Sequence, residues 1–324
     1  MSEPDVSIIV PVYEEEESLP ELVRQIRAVC EEADLSFEVW FIDDGSRDRS
    51  WDVIRAVHED DPRFAGLRFR RNYGKSAALA AGFVQALGRA VVTLDADLQD
   101  DPAEIPALVA MIDDGFDLVS GWKQKRQDPL SKTIPSRVYN VVTRLVSGIK
   151  LHDFNCGLKA YRREVVKNIQ VYGEMHRYIP LLAKWEGYER IGEKPVHHRA
   201  RRYGRTKFGL ERALRGFLDL ITVAFLTRFA ARPMHFFGMF GTLSFLGGFA
   251  ISLWIAVDKL VFGNFIGDRP LLLLGVLLIV VGVQTFCTGL LGDMIIRRRM
   301  DETTPYHVIE TVAPWERQEA SRRV

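Results

Sequence analysis

In Ala90-Val91-Val92-Thr93-Leu94-Asp95-Ala96-Asp97-Leu98-Gln99, an apolar, β-branched run changes abruptly into two carboxylates spaced one residue apart. Such a run predicts a buried strand that brings Asp95 and Asp97 to the edge of a sheet. Hard divalent cations prefer oxygen ligands, and Mg²⁺ usually takes one or two carboxylates together with substrate phosphates. The segment therefore predicts a metal site that handles a diphosphate, and the alternative is an ordinary acidic loop.

Three earlier segments repeat the pattern of a strand followed by polar residues. They are 6–12 with Tyr13-Glu14-Glu15, 37–42 with Asp43-Asp44, and 65–69 with Arg70-Arg71-Asn72. Helical patterns alternate with these strands, which predicts an α/β fold with a mostly parallel sheet. Ligands of open α/β sheets bind at the carboxyl ends of the strands, so these polar ends are expected to form one site. Neither GxGxxG nor GxxxxGK[ST] occurs, which argues against a dinucleotide fold and a P-loop.

The first predicted helix has recognisable start signals. Ser18 is expected to cap it, with Glu21 three residues later as the partner of a capping box and Pro20 in the first turn.

Composition excludes several classes of protein. The 324 residues carry 43 basic and 43 acidic side chains, so there is no basic field of the kind that marks nucleic-acid binding. The three cysteines form no CxxC pair and are typical of unpaired thiols in a reducing compartment. The N-terminus lacks a signal peptide, so the first domain is expected to stay in the cytoplasm.

Two segments, about 235–257 and 271–292, are long and apolar enough to cross a membrane. The alternative is a pair of buried helices in a soluble domain, although nothing else in the sequence offers a layer to cover them. Arginines flank the pair at Arg228, Arg232 and 297–299, whereas the connecting loop carries only Lys259 and Arg269. The positive-inside rule therefore predicts a multi-pass protein of the cytoplasmic membrane with both termini in the cytoplasm.

Four regions are expected along the chain. They are a catalytic domain at 1–207, an amphipathic juxtamembrane helix at 208–232, two transmembrane helices within 233–296, and a cytoplasmic tail at 297–324. The helix at 208–232 is expected to lie in the membrane interface, and packing against the soluble domain is the alternative.

The ordered motifs resemble those of glycosyltransferase family two. They are Val10-Pro11-Val12-Tyr13-Glu14-Glu15, Ile42-Asp43-Asp44-Gly45-Ser46, Arg71-Asn72-Tyr73-Gly74-Lys75 and Leu94-Asp95-Ala96-Asp97-Leu98-Gln99. Within that family the chain is most similar to the polyprenyl-phosphate glycosyltransferases, such as dolichol-phosphate mannose synthases and bactoprenol glucosyltransferases. The resemblance covers roughly residues 5–210 and implies a Rossmann-like GT-A fold.

The resemblance also implies roles for individual residues. Those matching nucleotide contacts are Pro11, Tyr13, Glu15, Asp43, Asp44, Lys75 and Asp95. Asp97 and Gln99 match the ligands of Mg²⁺ or Mn²⁺, and the catalytic set is Asp95, Asp97, Arg202 and Lys207. Asp100 and Asp101 fall outside the pattern and are expected to cap the helix entered at Pro102.

Acceptor contacts are expected from two cationic segments. Segment 196–216 carries seven basic residues against Glu211, which is also typical of a solvated face or of contact with anionic lipid. Its Arg202-Tyr203-Gly204-Arg205-Thr206-Lys207-Phe208 resembles the family's Gly-x-Ser-Lys-Tyr loop, with Thr206 and Phe208 departing from the pattern. The predicted contacts to the lipid phosphate are Lys123, Arg126, Arg137, Arg202 and Lys207.

The predicted reaction is metal-dependent, inverting transfer of one sugar from a nucleotide-diphosphate sugar to a polyprenyl phosphate, undecaprenyl or dolichyl. A phosphate with a second pKa near 6 is already nucleophilic at neutral pH, so no strong base is required. For His176, roles as a base and as a structural residue both remain open. Small residues in the two spans, and the resemblance, favour a homo-oligomer such as a tetramer.

Three other functions are weighed against this one. A processive polysaccharide synthase shares the fold, but its Gln-x-x-Arg-Trp element is absent and 176–180 reads His-Arg-Tyr-Ile-Pro. A non-catalytic scaffold would not need the acids and cations at the strand ends. A flippase needs a polar pathway, and polar residues such as Gln284, Thr285 and Thr288 are too few to form one in the spans.

Overall fold

The computed structural model describes residues 3–124, 140–141, 143–145, 147–173, 175–197, 199, 233–263, 270–299 and 308–312. These residues form two compact units. The first contains an eight-stranded sheet with its helices, and the second contains two long helices.

The elements follow the alternation expected from the sequence. The strands are β1 (Val6–Val12), β2 (Phe37–Asp43), β3 (Phe64–Phe69), β4 (Ala90–Thr93), β5 (Leu118–Trp122), β6 (Lys159–Arg162), β7 (Ile191–Pro195) and β8 (Val308–Val312). The helices are α1 (Leu19–Glu32), α2 (Ser50–Asp60), α3 (Lys75–Gln85), α4 (Ile105–Asp113), α5 (Arg163–Asn168), α6 (Ile179–Trp185), α7 (Pro233–Phe262) and α8 (Pro270–Arg299). Short 3₁₀ turns occur at Pro102–Glu104 and Met175–Tyr178.

The sheet is mixed but mostly parallel in its centre. Its order is β7-β5-β6-β4-β1-β2-β3-β8, and β4, β1, β2 and β3 run parallel to one another. The strands β6 and β8 are antiparallel to their neighbours. The predicted α/β fold with a mostly parallel sheet is therefore confirmed.

Register places the predicted site at one edge of this sheet. Val12 at the end of β1 pairs with Asp43 at the end of β2, and Ile9 pairs with Thr93 at the end of β4. The strands are buried on both faces, which explains their nearly continuous apolar sequences. The polar residues that follow them consequently meet at the carboxyl edge.

The capping box predicted for α1 is wrong. Ser18 has helical dihedral angles and makes no side-chain cap to the helix. Its hydroxyl instead lies 3.0 Å from the backbone oxygen and 3.0 Å from the carboxylate of Glu15. The serine therefore holds the loop after β1 instead of the first turn of α1.

The second unit consists of α7 and α8. Two stretches within it, Met234–Phe262 and Pro270–Gly292, have mean hydropathies of 1.8 and 2.4 and are long enough to cross a membrane. In these stretches only 17% and 11% of the most apolar window is buried, so they are not core helices of the first unit. Both extend beyond the predicted spans at one or both ends.

Glycines let α7 and α8 approach closely. A Cβ at Gly241 would lie 2.7 Å from the backbone oxygen of Gly282, and one at Gly248 would lie 2.4 Å from that of Gly275. This pairing runs in opposite directions along the two helices, so they form an antiparallel hairpin. The small residues on which the expected oligomer rests include these four glycines, and here they pack the chain against itself.

The predicted tail contains an element that no local sequence pattern indicated. Val308–Val312 forms β8, which pairs antiparallel with β3 at the edge of the sheet. The predicted juxtamembrane helix at 208–232 lies outside the described residues.

Candidate nucleotide-sugar site

A cavity of about 300 Å³ lies at the carboxyl ends of the central strands. Its lining residues are Pro11, Val12, Tyr13, Glu15, Asp44, Asn72, Gly74, Lys75, Ala78, Asp95, Ala96 and Asp97. Six of the residues predicted to bind nucleotide therefore line one cavity together with the predicted metal ligand Asp97. A larger groove, about 560 Å³, is lined only by residues of α1 and α2, away from the strand ends.

Two serines fix the loop that follows β1. The backbone N–H of Glu14 donates to Ser46 Oγ at 3.0 Å, and that of Glu15 donates to Ser50 Oγ at 3.0 Å. Glu14 has a φ of 56°, which is uncommon for a residue with a side chain and is typical of functional loops. Ser50 was missed in the sequence, because its partner is 35 residues away.

Asp44 connects β2 to the loop before α3. Its two carboxylate oxygens accept hydrogen bonds from the backbone N–H groups of Tyr73, at 2.6 Å, and Gly74, at 2.9 Å. Burial raises the pKa of Asp44, and these two hydrogen bonds oppose that rise. The carboxylate thus shapes the cavity wall in addition to lining it.

Asp43 lies behind this wall and is fully buried. Its Oδ1 accepts a hydrogen bond from the Ser46 backbone at 2.9 Å, and its Oδ2 lies 3.4 Å from Arg68 Nε. Burial raises the pKa of Asp43, while Ser46 and Arg68 lower it. Asp43 is not among the cavity residues, so its predicted contact with the nucleotide stays a prediction.

Lys75 and Asp95 form an ion pair across the cavity. Lys75 Nζ lies 2.5 Å from Asp95 Oδ1, and both side chains are about one-third exposed. Burial raises the pKa of Asp95, but the charge and hydrogen bond of Lys75, together with the charges of Lys123 and Lys159, more than offset this and lower it to about 2. Asp95 is therefore a carboxylate at neutral pH and is already engaged by a cation.

Gly157 packs closely against the carboxylate of Asp95. A Cβ at this position would lie 2.4 Å from Asp95 Oδ2, so no larger residue fits without moving the carboxylate. The Gly157 backbone oxygen accepts a buried hydrogen bond of 2.8 Å from Thr93 Oγ1. This hydrogen bond holds the backbone of Gly157 against β4. The family resemblance implies that segment 155–159 lies near the sugar and diphosphate, but the contact of Gly157 with Asp95, 62 positions away, was not predicted.

Asp97 and Gln99 follow at the positions predicted to hold a metal. Both are partly exposed, and the residue between them, Leu98, is buried with a φ of 59°. No cluster of three or more His, Cys, Asp or Glu residues that could hold a metal occurs in the described part of the chain. A set of carboxylate and amide oxygens that leaves positions for substrate phosphates and water nevertheless fits Mg²⁺ or Mn²⁺.

Two ion pairs attach neighbouring segments to the end of this motif. Lys123 Nζ lies 2.8 Å from Asp100 Oδ1, and the Asp100 side chain is 1% exposed. Burial lowers the pKa of Lys123, but Asp100, Cys156 and Asp95 together more than offset this and leave it above its usual value. Arg199 contacts Asp101, whose side chain also accepts a hydrogen bond from the backbone of Ala103.

The structure describes only some of the residues that were predicted to contact the acceptor or to cap the helix at Pro102. The expected cap at Asp101 is confirmed, whereas Asp100 is instead the partner of Lys123. The predicted phosphate contact of Lys123 stays a prediction. Arg126, Arg137, Arg202 and Lys207 lie outside the described residues.

Comparison with known proteins agrees with this geometry. The model of the family "Glycosyl transferase family 2" matches residues 7–170. Dodecaprenyl-phosphate galacturonate synthase of Rhizobium johnstonii is 38% identical over 315 residues, which cover 95% of this chain and 93% of the relative. Undecaprenyl-phosphate 4-deoxy-4-formamido-L-arabinose transferase of Salmonella paratyphi A is 37% identical over 292 residues, which cover 90% and 88%.

Solved structures show the same fold. Glucosyl-3-phosphoglycerate synthase from Mycobacterium tuberculosis, crystallised with Mn²⁺, UDP-glucose and glycerol 3-phosphate, superposes with a TM-score of 0.52 at 21% identity. The match covers 69% of this chain and 80% of that one, and it confirms the GT-A-like arrangement of strands and helices. The matched family model spans all four strand-end motifs, and the similar relatives cover nearly the whole chain, so this protein is a glycosyltransferase that belongs to glycosyl transferase family 2.

Proposed function

We propose that this protein transfers a single sugar from a nucleoside-diphosphate sugar to a polyprenyl phosphate at the cytoplasmic face of a membrane. The observation that carries the proposal is the cavity in which Asp44, Lys75, Asp95 and Asp97 meet at the carboxyl ends of parallel strands. Carboxylates there suit the hydroxyl and imino groups of a nucleoside, and the lysine suits its phosphates.

The relatives support the choice of acceptor. Both curated relatives are named for sugars carried on a polyprenyl phosphate, and each aligns over 88% or more of its own length. The structurally similar glucosyl-3-phosphoglycerate synthase was crystallised with UDP-glucose, so uridine diphosphate is the first nucleotide to test.

A divalent metal is part of the proposal. Asp97 and Gln99 would hold it, and Asp95 would support the nucleotide beside it. When bound, Mg²⁺ or Mn²⁺ supplies positive charge that stabilises the departing diphosphate. The Mn²⁺ in the glucosyl-3-phosphoglycerate synthase structure supports a divalent metal here and is compatible with either Mg²⁺ or Mn²⁺.

The chain's own residues have a limited chemical task. A lone pair on a phosphate oxygen of the lipid forms the new bond to the anomeric carbon, and the bond to the diphosphate oxygen breaks with its electrons leaving on the diphosphate. The acceptor is mostly dianionic at neutral pH, so no proton has to be removed from it. Lys75 binds anionic oxygen at the donor, and the cations predicted at Lys123, Arg126, Arg137, Arg202 and Lys207 position the acceptor. A single displacement of this kind inverts the anomeric configuration.

The membrane arrangement rests on two observations. First, β7 precedes α7 and β8 follows α8, and both strands belong to the same sheet. The chain must therefore cross any membrane an even number of times between them, which supports a two-helix hairpin. Second, the arginines outside the hairpin support a cytoplasmic location for the catalytic domain.

A homo-oligomer, with a tetramer expected from the resemblance, is also proposed. It would need surfaces other than those of Gly241, Gly248, Gly275 and Gly282, because these pack α7 against α8.

The test is a panel of labelled donors with the full-length protein in detergent or vesicles. UDP-glucose, UDP-galacturonate and UDP-4-deoxy-4-formamido-L-arabinose would each be offered with undecaprenyl or dolichyl phosphate, with and without Mg²⁺ or Mn²⁺. We expect an organic-extractable product with inverted configuration from at least one donor. Retention of configuration would exclude single displacement, and failure of every donor, once the panel includes other nucleotides, would contradict the catalytic proposal.

A further inference from the structure

His176 lies in the 3₁₀ turn Met175–Tyr178, against the first turn of α3. Its backbone N–H donates a hydrogen bond to Ser76 Oγ at 3.0 Å. Its ring nitrogen Nδ1 lies 3.0 Å from the same oxygen. Ser76 is buried, with 1% of its surface exposed, and it directly follows Lys75 of the cavity. His176 is thus attached, once by its backbone and once by its ring, to a single oxygen of the segment that carries the lysine.

The shared hydroxyl determines which ring nitrogen carries the proton. Ser76 Oγ already accepts the backbone N–H of His176 and has a single proton to donate. If that proton points to Nδ1, both groups are satisfied. If Nδ1 were the donor instead, the buried hydroxyl proton would have no acceptor within the part of the chain that the structure describes, at the cost of an unmade hydrogen bond. Nδ1 is therefore the acceptor, and the proton of the neutral ring lies on Nε2.

The surroundings disfavour a positive charge on the ring. Burial is the largest effect, followed by the positive charges of Lys75, Arg177 and Lys159, and the negative charge of Asp95 opposes them only in part. Together they lower the pKa of His176 to about 3. A group this weakly basic is a poor proton acceptor near neutral pH.

The groups that act on the ring belong to the cavity or lie beside it, and His176 is not itself among the lining residues. Lys75 lines the cavity, Asp95 is its partner there, and Lys159 is buried with its Nζ donating to the backbone oxygen of Cys156. The three cations that act on the ring, Lys75, Arg177 and Lys159, outnumber the one carboxylate, Asp95, and suit a ligand that brings negative charge. No other side chain in the described regions is hydrogen-bonded to Nε2 of His176, and the residue is partly exposed.

We propose that His176 is a neutral hydrogen-bond donor, acting through its Nε2–H on a phosphate oxygen of the transferring substrates, and that it takes up no proton during the reaction. This inference rests on the proposed function and specifies a residue within it. The transfer moves negative charge from the acceptor phosphate to the departing diphosphate and releases no proton, so a fixed donor is useful where a base is not. The phosphate oxygen belongs either to the nucleoside diphosphate or to the lipid phosphate.

Substitution at position 176 separates a donor from a base. His176→Gln keeps an N–H donor but cannot act as a base, whereas His176→Leu keeps the volume and loses both abilities. We expect kcat/KM to fall by about 100-fold in His176→Leu and by less than about tenfold in His176→Gln. His58→Gln is the matched control, because His58 lies on α2 and contacts the backbone of Phe64. Equal losses in the Gln and Leu variants, or wild-type activity in both, would overturn the proposal.

Binding measurements distinguish the two sources of the phosphate oxygen. Weaker calorimetric binding of UDP with Mn²⁺ to His176→Leu assigns the contact to the diphosphate. Unchanged UDP binding with a raised KM for undecaprenyl phosphate assigns it to the acceptor. A loss of kcat without either change places the contact in the transition state of the same step, which still requires a donor.

The tautomer itself can be measured without turnover. In full-length protein with ¹⁵N-labelled histidine, the signal lost in His176→Gln should show a protonated Nε2 and a bare Nδ1 between about pH 5.5 and 8. A protonated Nδ1 or an imidazolium in this range would refute the inference, even if the variants lose activity. If the spectrum agrees and no donor sugar is turned over, the proposed function fails while the assigned tautomer stands.

Discussion

Substitution of Gly157 by alanine tests how strictly the position of Asp95 controls the reaction. The added Cβ would lie 2.4 Å from Asp95 Oδ2, whereas ordinary contacts begin at 3.4 Å, so the carboxylate must move by about 1 Å. The backbone of Gly157 cannot easily retreat, because its oxygen is held by Thr93 Oγ1 at 2.8 Å. The movement also disturbs the 2.5 Å ion pair between Asp95 and Lys75.

A displacement of about 1 Å at a reacting site costs about 100-fold in rate, which corresponds to about 2.7 kcal/mol in the activation free energy. We therefore expect kcat of Gly157→Ala to fall by about this factor in the assay for organic-extractable product, with weaker binding of UDP and Mn²⁺ by calorimetry. Gly247→Ala is the matched control, because nothing lies within 4 Å of a Cβ at that position. Thermal unfolding of both variants checks that they are folded. Wild-type turnover by a folded Gly157→Ala variant would refute the reasoning.

Three further predictions concern the metal motif, the buried ion pair and His176. Asp97→Asn should abolish the stimulation of turnover by Mn²⁺ with little change in thermal unfolding, whereas the exposed Asp34→Asn should keep that stimulation. Metal-stimulated turnover by Asp97→Asn would show that the metal binds elsewhere. Lys123→Met should lower the free energy of unfolding by about 3–5 kcal/mol, because it leaves the 1% exposed Asp100 without its cation. The double variant with Asp100→Leu should regain much of this free energy. Additive losses from the two substitutions in denaturant unfolding would contradict this prediction. His176 has a pKa of about 3 in the folded protein against an ordinary value of 6.5, so the unfolded chain binds the extra proton and stability falls as the pH falls through 6.5. Between pH 7 and pH 5 the loss is about 2 kcal/mol, and thermal unfolding of His176→Gln should lack this part of the pH dependence.

Local sequence patterns predicted the site because its geometry follows from strand direction. Each central strand is an apolar run that ends in polar residues, and parallel strands place all such ends at one edge. Tyr13, Asp44, Asp95 and Asp97 could therefore be grouped from the order of strands and polar residues alone, whereas Lys75 was assigned from the family resemblance. All five line one cavity. The two long apolar segments were equally readable, because their length and composition suffice to identify them.

Features that depend on contacts between distant residues were not readable in this way. Ser18 carries every local signal of a helix cap, yet its hydroxyl bonds to Glu15. The glycines in the hairpin signalled close packing, but only the structure shows that the partner helix belongs to the same chain. The strand β8 pairs with β3 from the far end of the chain, and a short β-branched stretch does not specify its partner.

The sequence by itself determined the fold class, the edge of the sheet at which the chemistry occurs and the two long apolar helices, because periodicity and strand ends are local properties of the chain. Only the tertiary structure decided that Lys75 neutralises Asp95, that Asp100 engages Lys123, and that Ser76 makes the ring of His176 a donor. The physical reason is that the protonation and charge of a side chain depend on burial and on partners brought together by folding, and Ser76 and His176 are 100 residues apart in the sequence.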